Sequence, residues 1–213
     1  MRMRRKPNLD ARIKKCEHLL IADPEAFRGR WYRIFPYKEL HVELGCGKGI
    51  FTVEMARANP EILFVALEKS ANVLVIALEM AQRENVRNVR FINALADDME
   101  SFFAPDEVFN IYLNFSDPWP AKRHAKRRMT SPIFLASYRQ VLCPMGKIQL
   151  KTDNIHLFEY SLDGFECAGF TLLEKTRDLH KDGQVGVMTD YERKFHSLGM
   201  PIYQCIAAKG TSL

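Results

Sequence analysis

The sequence is poor in the features that mark membrane, secreted or metal-clipped proteins. No apolar run reaches the ~20 residues that a membrane-spanning helix needs. No apolar segment follows the opening Met1-Arg2-Met3-Arg4-Arg5-Lys6-Pro7 that would make it a signal peptide, so a cytoplasmic location is expected. The five cysteines, Cys16, Cys46, Cys143, Cys167 and Cys205, lie far apart. They form no Cys-x-x-Cys pair, and no histidine stands at ligand spacing, which predicts scattered buried thiols and no metal site. Internal repeats and low-complexity linkers are missing too, which leaves one domain as the default.

At 213 residues the chain is long enough for one full α/β domain. Its 47% hydrophobic and 27% charged content is ordinary for a soluble globule. The net charge of +5 hides a sharper pattern. Residues 1–15 hold seven Lys/Arg against Asp10, and residues 122–128 hold five against none, so these two segments carry +11 and the rest of the chain −6. An acidic body with two concentrated basic segments points to a localised polyanion site.

Taken in order, residues 9–35 read as irregular or short helical structure. Leu19, Leu20, Ile21, Phe27, Trp31 and Phe35 are its apolar anchors, and Asp23-Pro24 is a helix start. Residues 1–35 are therefore expected to form a basic arm packed on a domain of residues 36–213. From Leu40 the pattern becomes regular, with strands expected at 40–44, 62–67, 89–92, 108–115, 147–151, 170–176 and 202–208. Helices are expected at about 49–57, from a Ser70 cap to 84, at 96–103, 132–142 and 155–168 with Gly169 as C-cap, and near Tyr191. The run Ile62–Leu67 is apolar throughout, as a strand buried on both faces of a parallel sheet must be. The alternation predicts an α/β fold with an open, doubly wound, mostly parallel seven-stranded sheet. Ligands in such sheets bind at the carboxyl ends of the strands, which singles out Glu43–Gly49, Glu68, Asn93–Asp97, Asn114–Trp119 and Lys151–Asn154.

The loop Gly45-Cys46-Gly47-Lys48-Gly49 is not a dinucleotide fingerprint, since Ile50 stands where Gly-x-Gly-x-x-Gly needs glycine. Glu43 would repel a pyrophosphate and attract an ammonium or sulfonium. Together with Glu68 at the tip of the next strand, where a carboxylate accepts from a ribose diol, this loop resembles the cofactor loop of class I S-adenosylmethionine-dependent methyltransferases.

In Asn114-Phe115-Ser116-Asp117-Pro118-Trp119-Pro120 a strand ends in a carboxylate beside a large aromatic, which suits a nucleobase, and the cationic run that follows suits phosphates. These residues, the run Arg123-His124-Ala125-Lys126-Arg127-Arg128, Lys151-Thr152-Asp153-Asn154 and Thr189-Asp190-Tyr191-Glu192 together resemble the bacterial tRNA (guanine-N7)-methyltransferases. The resemblance implies methyl transfer from S-adenosylmethionine to N7 of guanosine at position 46 in the tRNA variable loop. It implies Glu43, Gly45, Gly47, Glu68, Leu95 and Asp117 at the cofactor and Asp117 as the catalytic residue. It places Lys122, Asp153, Thr189, Asp190, Tyr191 and Glu192 at the substrate, and Arg123, His124, Lys126, Arg127 and Arg128 on the RNA backbone.

Leu95 stands where the family has an acid, so its amide, Asn93 or Asp97 must supply that contact. Ala121 stands where the family has lysine, which shifts a substrate contact to Lys122. Trp119 either stacks on the base or packs on the sheet, and Thr189–Glu192 has a second reading as an N-capped helix start. The expected partner is tRNA, with no membrane and no required protein partner, and the chain is expected to be a monomer or homodimer. The alternatives are another nucleobase N-methyltransferase and a non-catalytic RNA-binding module.

Overall fold

A computed structural model describes residues 6–210, so Arg2, Arg4 and Arg5 of the basic N-terminal segment lie outside the described residues. Short helices come first, α1 (Leu9–Lys15) and α2 (Trp31–Ile34), with 3₁₀ turns at Glu17–Leu19 and Glu25–Phe27 between them. The regular part then runs β1 (Glu39–Leu44), α3 (Ile50–Ala58), β2 (Ile62–Leu67), α4 (Ala71–Arg83), β3 (Val89–Ile92), α5 (Met99–Phe102) and β4 (Val108–Asn114). It continues with α6 (Pro132–Val141), β5 (Leu142–Thr152), α7 (Ile155–Cys167), β6 (Phe170–Thr176), α8 (Asp190–Ser197) and β7 (Tyr203–Lys209).

The seven strands form one sheet in the order β3-β2-β1-β4-β5-β7-β6. Pairings from β3 through β5 are parallel, while β7 runs antiparallel to both β5 and β6. Strand order reverses between β1 and β4, which is where a doubly wound sheet opens a crevice beyond its carboxyl edge. Both faces are covered. In β2, Leu63, Val65 and Leu67 enter the core shared with Trp31, Leu135 and Phe158, while Phe64 and Ala66 enter the opposite core with Phe51, Leu74 and Leu78. That two-sided burial is why the strand carries no polar residue.

The N-terminal segment is tied down by specific groups. Arg12 makes a two-point contact with Glu79 on α4, at 2.6 and 2.7 Å. The buried Glu107 carboxylate accepts from the N–H groups of Gly29, Trp31 and Ala104 at 2.8–3.1 Å, and Trp31 is fully buried.

Several boundaries differ from the sequence pattern. The turn after Asp23 is a 3₁₀ turn with Pro24 itself as N-cap. Ser70 stands at the N-cap of α4, but its hydroxyl makes no cap bond. Ala168 is the C-cap of α7, and Gly169 lies one residue beyond at φ 75°, where a left-handed residue releases the chain. β5 begins at Leu142 because Leu142 already pairs with Val108 before the register shift.

Candidate active site

The carboxyl ends of β1 and β4 and the start of α3 enclose a cavity of about 470 Å³. Glu43, Gly45, Cys46, Gly47 and Lys48 form one wall, Asn114, Phe115 and Phe51 the floor, and Thr189, Asp190, Tyr191 and Lys194 the facing wall. The glycine loop turns through left-handed conformations, with φ of 58° at Gly47 and 77° at Gly49. A Cβ at Gly47 would meet nothing within 4 Å, so the loop offers bare backbone to a ligand. At Gly49 the constraint is packing, since a Cβ would come within 2.5 Å of Ala77 Cβ on α4.

Glu43 is 3% exposed and accepts from Thr52 Oγ1 and, at 2.9 Å, from Asn114 Nδ2. Burial pushes its carboxyl above the ordinary carboxylate value, and its two hydrogen-bond donors and nearby Lys151 offset this only in part. Asn114 Oδ1 is buried and, among the described residues, has no hydrogen-bond partner. A cavity holding a desolvated carboxylate and an unpaired acceptor suits a cationic ligand carrying N–H donors. Glu68 closes the loop from the next strand, accepting from Gly47 N–H at 3.2 Å and Ser70 N–H at 2.8 Å.

The facing wall rests on a buried network that sequence reasoning missed. Lys151 Nζ bonds both carboxylate oxygens of Glu192, at 2.9 and 3.2 Å, and His180 Nε2 reaches Oε1 at 2.8 Å. Val185 N–H donates to His180 Nδ1, which places the ring proton on Nε2, facing Glu192. Thr189 and Glu192 form a reciprocal capping box at the start of α8. Glu192 is fully buried and its carboxylate accepts four hydrogen bonds from three donors, Lys151, His180 and the Thr189 N–H, so it supports the wall and does not face the cavity. Thr189, Asp190 and Tyr191 do line it. Lys48 lies 3.6 Å from Asp190, and Arg193 holds Glu54 at 2.7 and 2.9 Å, so α8 is latched onto the glycine loop and α3. Phe115, Tyr191 and Phe195 stack at 6.1–6.4 Å.

The other expected residues stand outside the wall of this cavity. Asp117 is exposed in the loop after β4. Asp153 is half-buried at the end of β5, while its neighbour Asn154 caps α7 by accepting from Leu157 N–H at 2.9 Å. Leu95 is 51% exposed, and the Asn93 amide group is spent on the Glu68 carbonyl at 2.7 Å. Lys122–Arg127 forms a 3₁₀ turn on which Lys122, Arg123, Lys126 and Arg127 are exposed. Trp119 does not pack into the sheet; it sits under Arg127, 4.9 Å from ring centroid to Cζ, and 5.8 Å from the His124 ring. Arg128 points inward. Among the described residues, no group of three or more His, Cys, Asp or Glu is placed to hold a metal ion, and no helix is long and apolar enough to cross a membrane.

Residues 37–205 match a family described as putative methyltransferase. The chain is 47% identical over 211 residues to a tRNA (guanine-N(7)-)-methyltransferase from Geobacillus thermodenitrificans, covering 98% of each. It is 44% identical over 210 residues to one from Oceanobacillus iheyensis, covering 98% of this chain and 99% of the other. Among solved structures, the 16S rRNA methyltransferase KamB superposes with a TM-score of 0.66 at 17% identity, covering 84% of this chain and 92% of that one. A 16S rRNA (adenine(1408)-N(1))-methyltransferase from Catenulisporales acidiphilia, solved with its cosubstrate SAM, superposes with a TM-score of 0.63 at 12% identity, covering 89% and 92%. These two structures carry the fold alone, whereas sequence identity along nearly the whole length carries the kinship, and the chain belongs to the tRNA (guanine-N7)-methyltransferase family.

Proposed function

We propose that the protein transfers a methyl group from S-adenosylmethionine to N7 of the guanosine at position 46 in the variable loop of tRNA, acting in the cytoplasm. The observation that carries this reading is the adjacency of a cation-suited cavity at the ends of β1 and β4 to an exposed carboxylate, Asp117, three residues beyond β4. S-adenosylmethionine, when bound, supplies a methyl on a positively charged sulfur. Glu43 and Asn114 would receive the cationic, N–H-bearing end of that ligand, the absence of a side chain at Gly47 would let it approach the backbone, and Glu68 would accept from its ribose hydroxyls. Leu95 provides apolar surface beside the base.

Guanine N7 carries a lone pair and no proton, so no general base is required. The protein's task is alignment, and pre-paid orientation of this kind supplies up to about 7–11 kcal/mol. Asp117 accepts from the N1–H and N2–H edge of guanine and balances the positive charge that the ring gains on N7 methylation; Asp153, just beyond the adjacent strand β5, is the second carboxylate at this end of the sheet. Tyr191, on its stack with Phe115 and Phe195, offers a flat face to the base. Thr189 and Asp190 meet the same nucleotide, and Lys122, Arg123, His124, Lys126 and Arg127 meet phosphates.

The test is transfer of labelled methyl to unmodified tRNA followed by nucleoside analysis. Label in 7-methylguanosine, lost when guanosine 46 is replaced by adenosine, is the expected result. Label in another nucleoside, or label that survives the replacement, would overturn the assigned acceptor.

A further inference from the structure

Arg128 belongs by sequence to the phosphate-binding run, but its guanidinium is turned back into the protein. Its Nε donates to the Pro118 carbonyl at 3.1 Å and its Nη2 to the Trp119 carbonyl at 3.0 Å. Beneath it lies the Tyr160 ring of α7, with Cζ 4.3 Å from the centroid. The two donors form one edge of the planar fork, the edge that would otherwise bind a phosphate in two-point fashion.

The segment held in this way is strained. Phe115 and Trp119 take left-handed φ values of 52° and 41°, which are unusual for bulky residues. Such conformations persist only where the surroundings fix them, and they gather at functional sites. Asp117 lies between the two, and among the described residues no group holds its carboxylate. Its placement therefore depends on the loop that carries it.

We propose that Arg128 is a positioning residue for methyl transfer: it pins the Pro118 and Trp119 carbonyls over Tyr160 and so fixes where Asp117 is presented. The inference rests on the reading of this loop as the acceptor side. Lysine cannot replace it, because an ammonium is a point charge that neither reaches two carbonyls in one plane nor lies flat on a ring.

The experiment compares Arg128→Lys, Arg128→Ala and Tyr160→Leu with the parent. Four quantities are read: single-turnover rate with both substrates saturating, cofactor affinity, the salt slope of tRNA binding, and acrylamide quenching of tryptophan emission. Quenching reports on the loop because the chain has two tryptophans and Trp31 is fully buried. Both Arg128 variants are expected to lose roughly 10- to 100-fold in rate, the scale of a misplaced reacting group, with raised quenching and with cofactor affinity and salt slope at parent values. Tyr160→Leu is expected to move the rate and the quenching in the same direction by less.

Full rate in Arg128→Lys, with a salt slope flattened by about 0.7 in Arg128→Ala, would make Arg128 a phosphate contact and overturn the proposal. A lost rate without raised quenching would overturn it too, since the effect would not pass through the loop. Raised quenching at an unchanged rate would likewise end it. In that last case Asp117→Ala separates the causes: if it also turns over normally, the acceptor-side reading fails, and if it is slow, only the role of Arg128 does.

Discussion

The two sides of the site are held in place by opposite means. On the glycine-loop side and along α8 the key carboxylates are buried and occupied, Glu43 by Thr52 and Asn114, and Glu192 by Lys151, His180 and its own capping box. On the Asn114–Arg128 side the key carboxylate, Asp117, is exposed, and the groups around it are held by carbonyl bonds and ring stacking. The difference fits the two ligands of the proposed function. A small cationic cofactor can be surrounded, so its site can be built from desolvated groups. An RNA has to be met at the surface, where order must come from contacts that leave the loop accessible.

This contrast predicts stability effects on the buried side and rate or salt effects on the exposed one. The largest is expected at Lys151, which is 3% exposed and paired with a fully buried Glu192. Lys151→Ala leaves that carboxylate without its counter-ion and should cost about 3–5 kcal/mol. It is read as a fall in the denaturant midpoint at constant m. A variant as stable as the parent would show that the network does not support α8.

Next in size is the pH response of the cofactor site. Burial raises the Glu43 carboxyl above its ordinary value of 4.5, so the folded protein holds that proton more tightly than the unfolded chain does. Glu43 alone therefore contributes less stability as pH rises through that window. A cation bound beside it favours the ionised form, so cofactor affinity should rise over the same window with release of a proton, and Glu43→Gln should abolish the rise. Calorimetry in buffers of different ionisation enthalpy measures this, and binding without proton release would remove Glu43 from the cation site.

The smallest effect belongs to the exposed run. Arg123→Ala and Lys126→Ala should each flatten the salt slope of tRNA binding by about 0.7, with stability unchanged. An unaltered slope in both would mean that the run faces away from the RNA.

What could be read in the sequence followed the same division. The Gly45-x-Gly47-x-Gly49 spacing, the apolar run of β2 and Glu68 at its tip were legible because each depends on neighbours a few residues away. Alternation of strands and helices announced the doubly wound, mostly parallel sheet, whereas the strand order and its reversal between β1 and β4 depend on long-range pairing and came from the fold itself. The role of Glu192 was harder to see: Thr189-x-x-Glu192 announces a capping box, but nothing near it announces Lys151, 41 residues earlier, or His180. The distinct setting of Arg128 was invisible for a related reason. A charge run shows how much positive charge is present, whereas which guanidinium turns inward is decided by free carbonyls in a strained loop and by the Tyr160 ring on another helix. Asn114 at the end of β4 was visible as a strand terminus, but its bond to Glu43 crosses from one strand to the next.

In the proposed function Asp117 acts on the acceptor and is no part of the framework. The most direct test is the single-turnover rate of Asp117→Ala with S-adenosylmethionine and tRNA both saturating. A fall of roughly 10²- to 10³-fold is expected, the scale for losing one preorganised electrostatic contact at a reacting centre. A rate within about twofold of the parent would contradict it and move the acceptor to another part of the cavity rim.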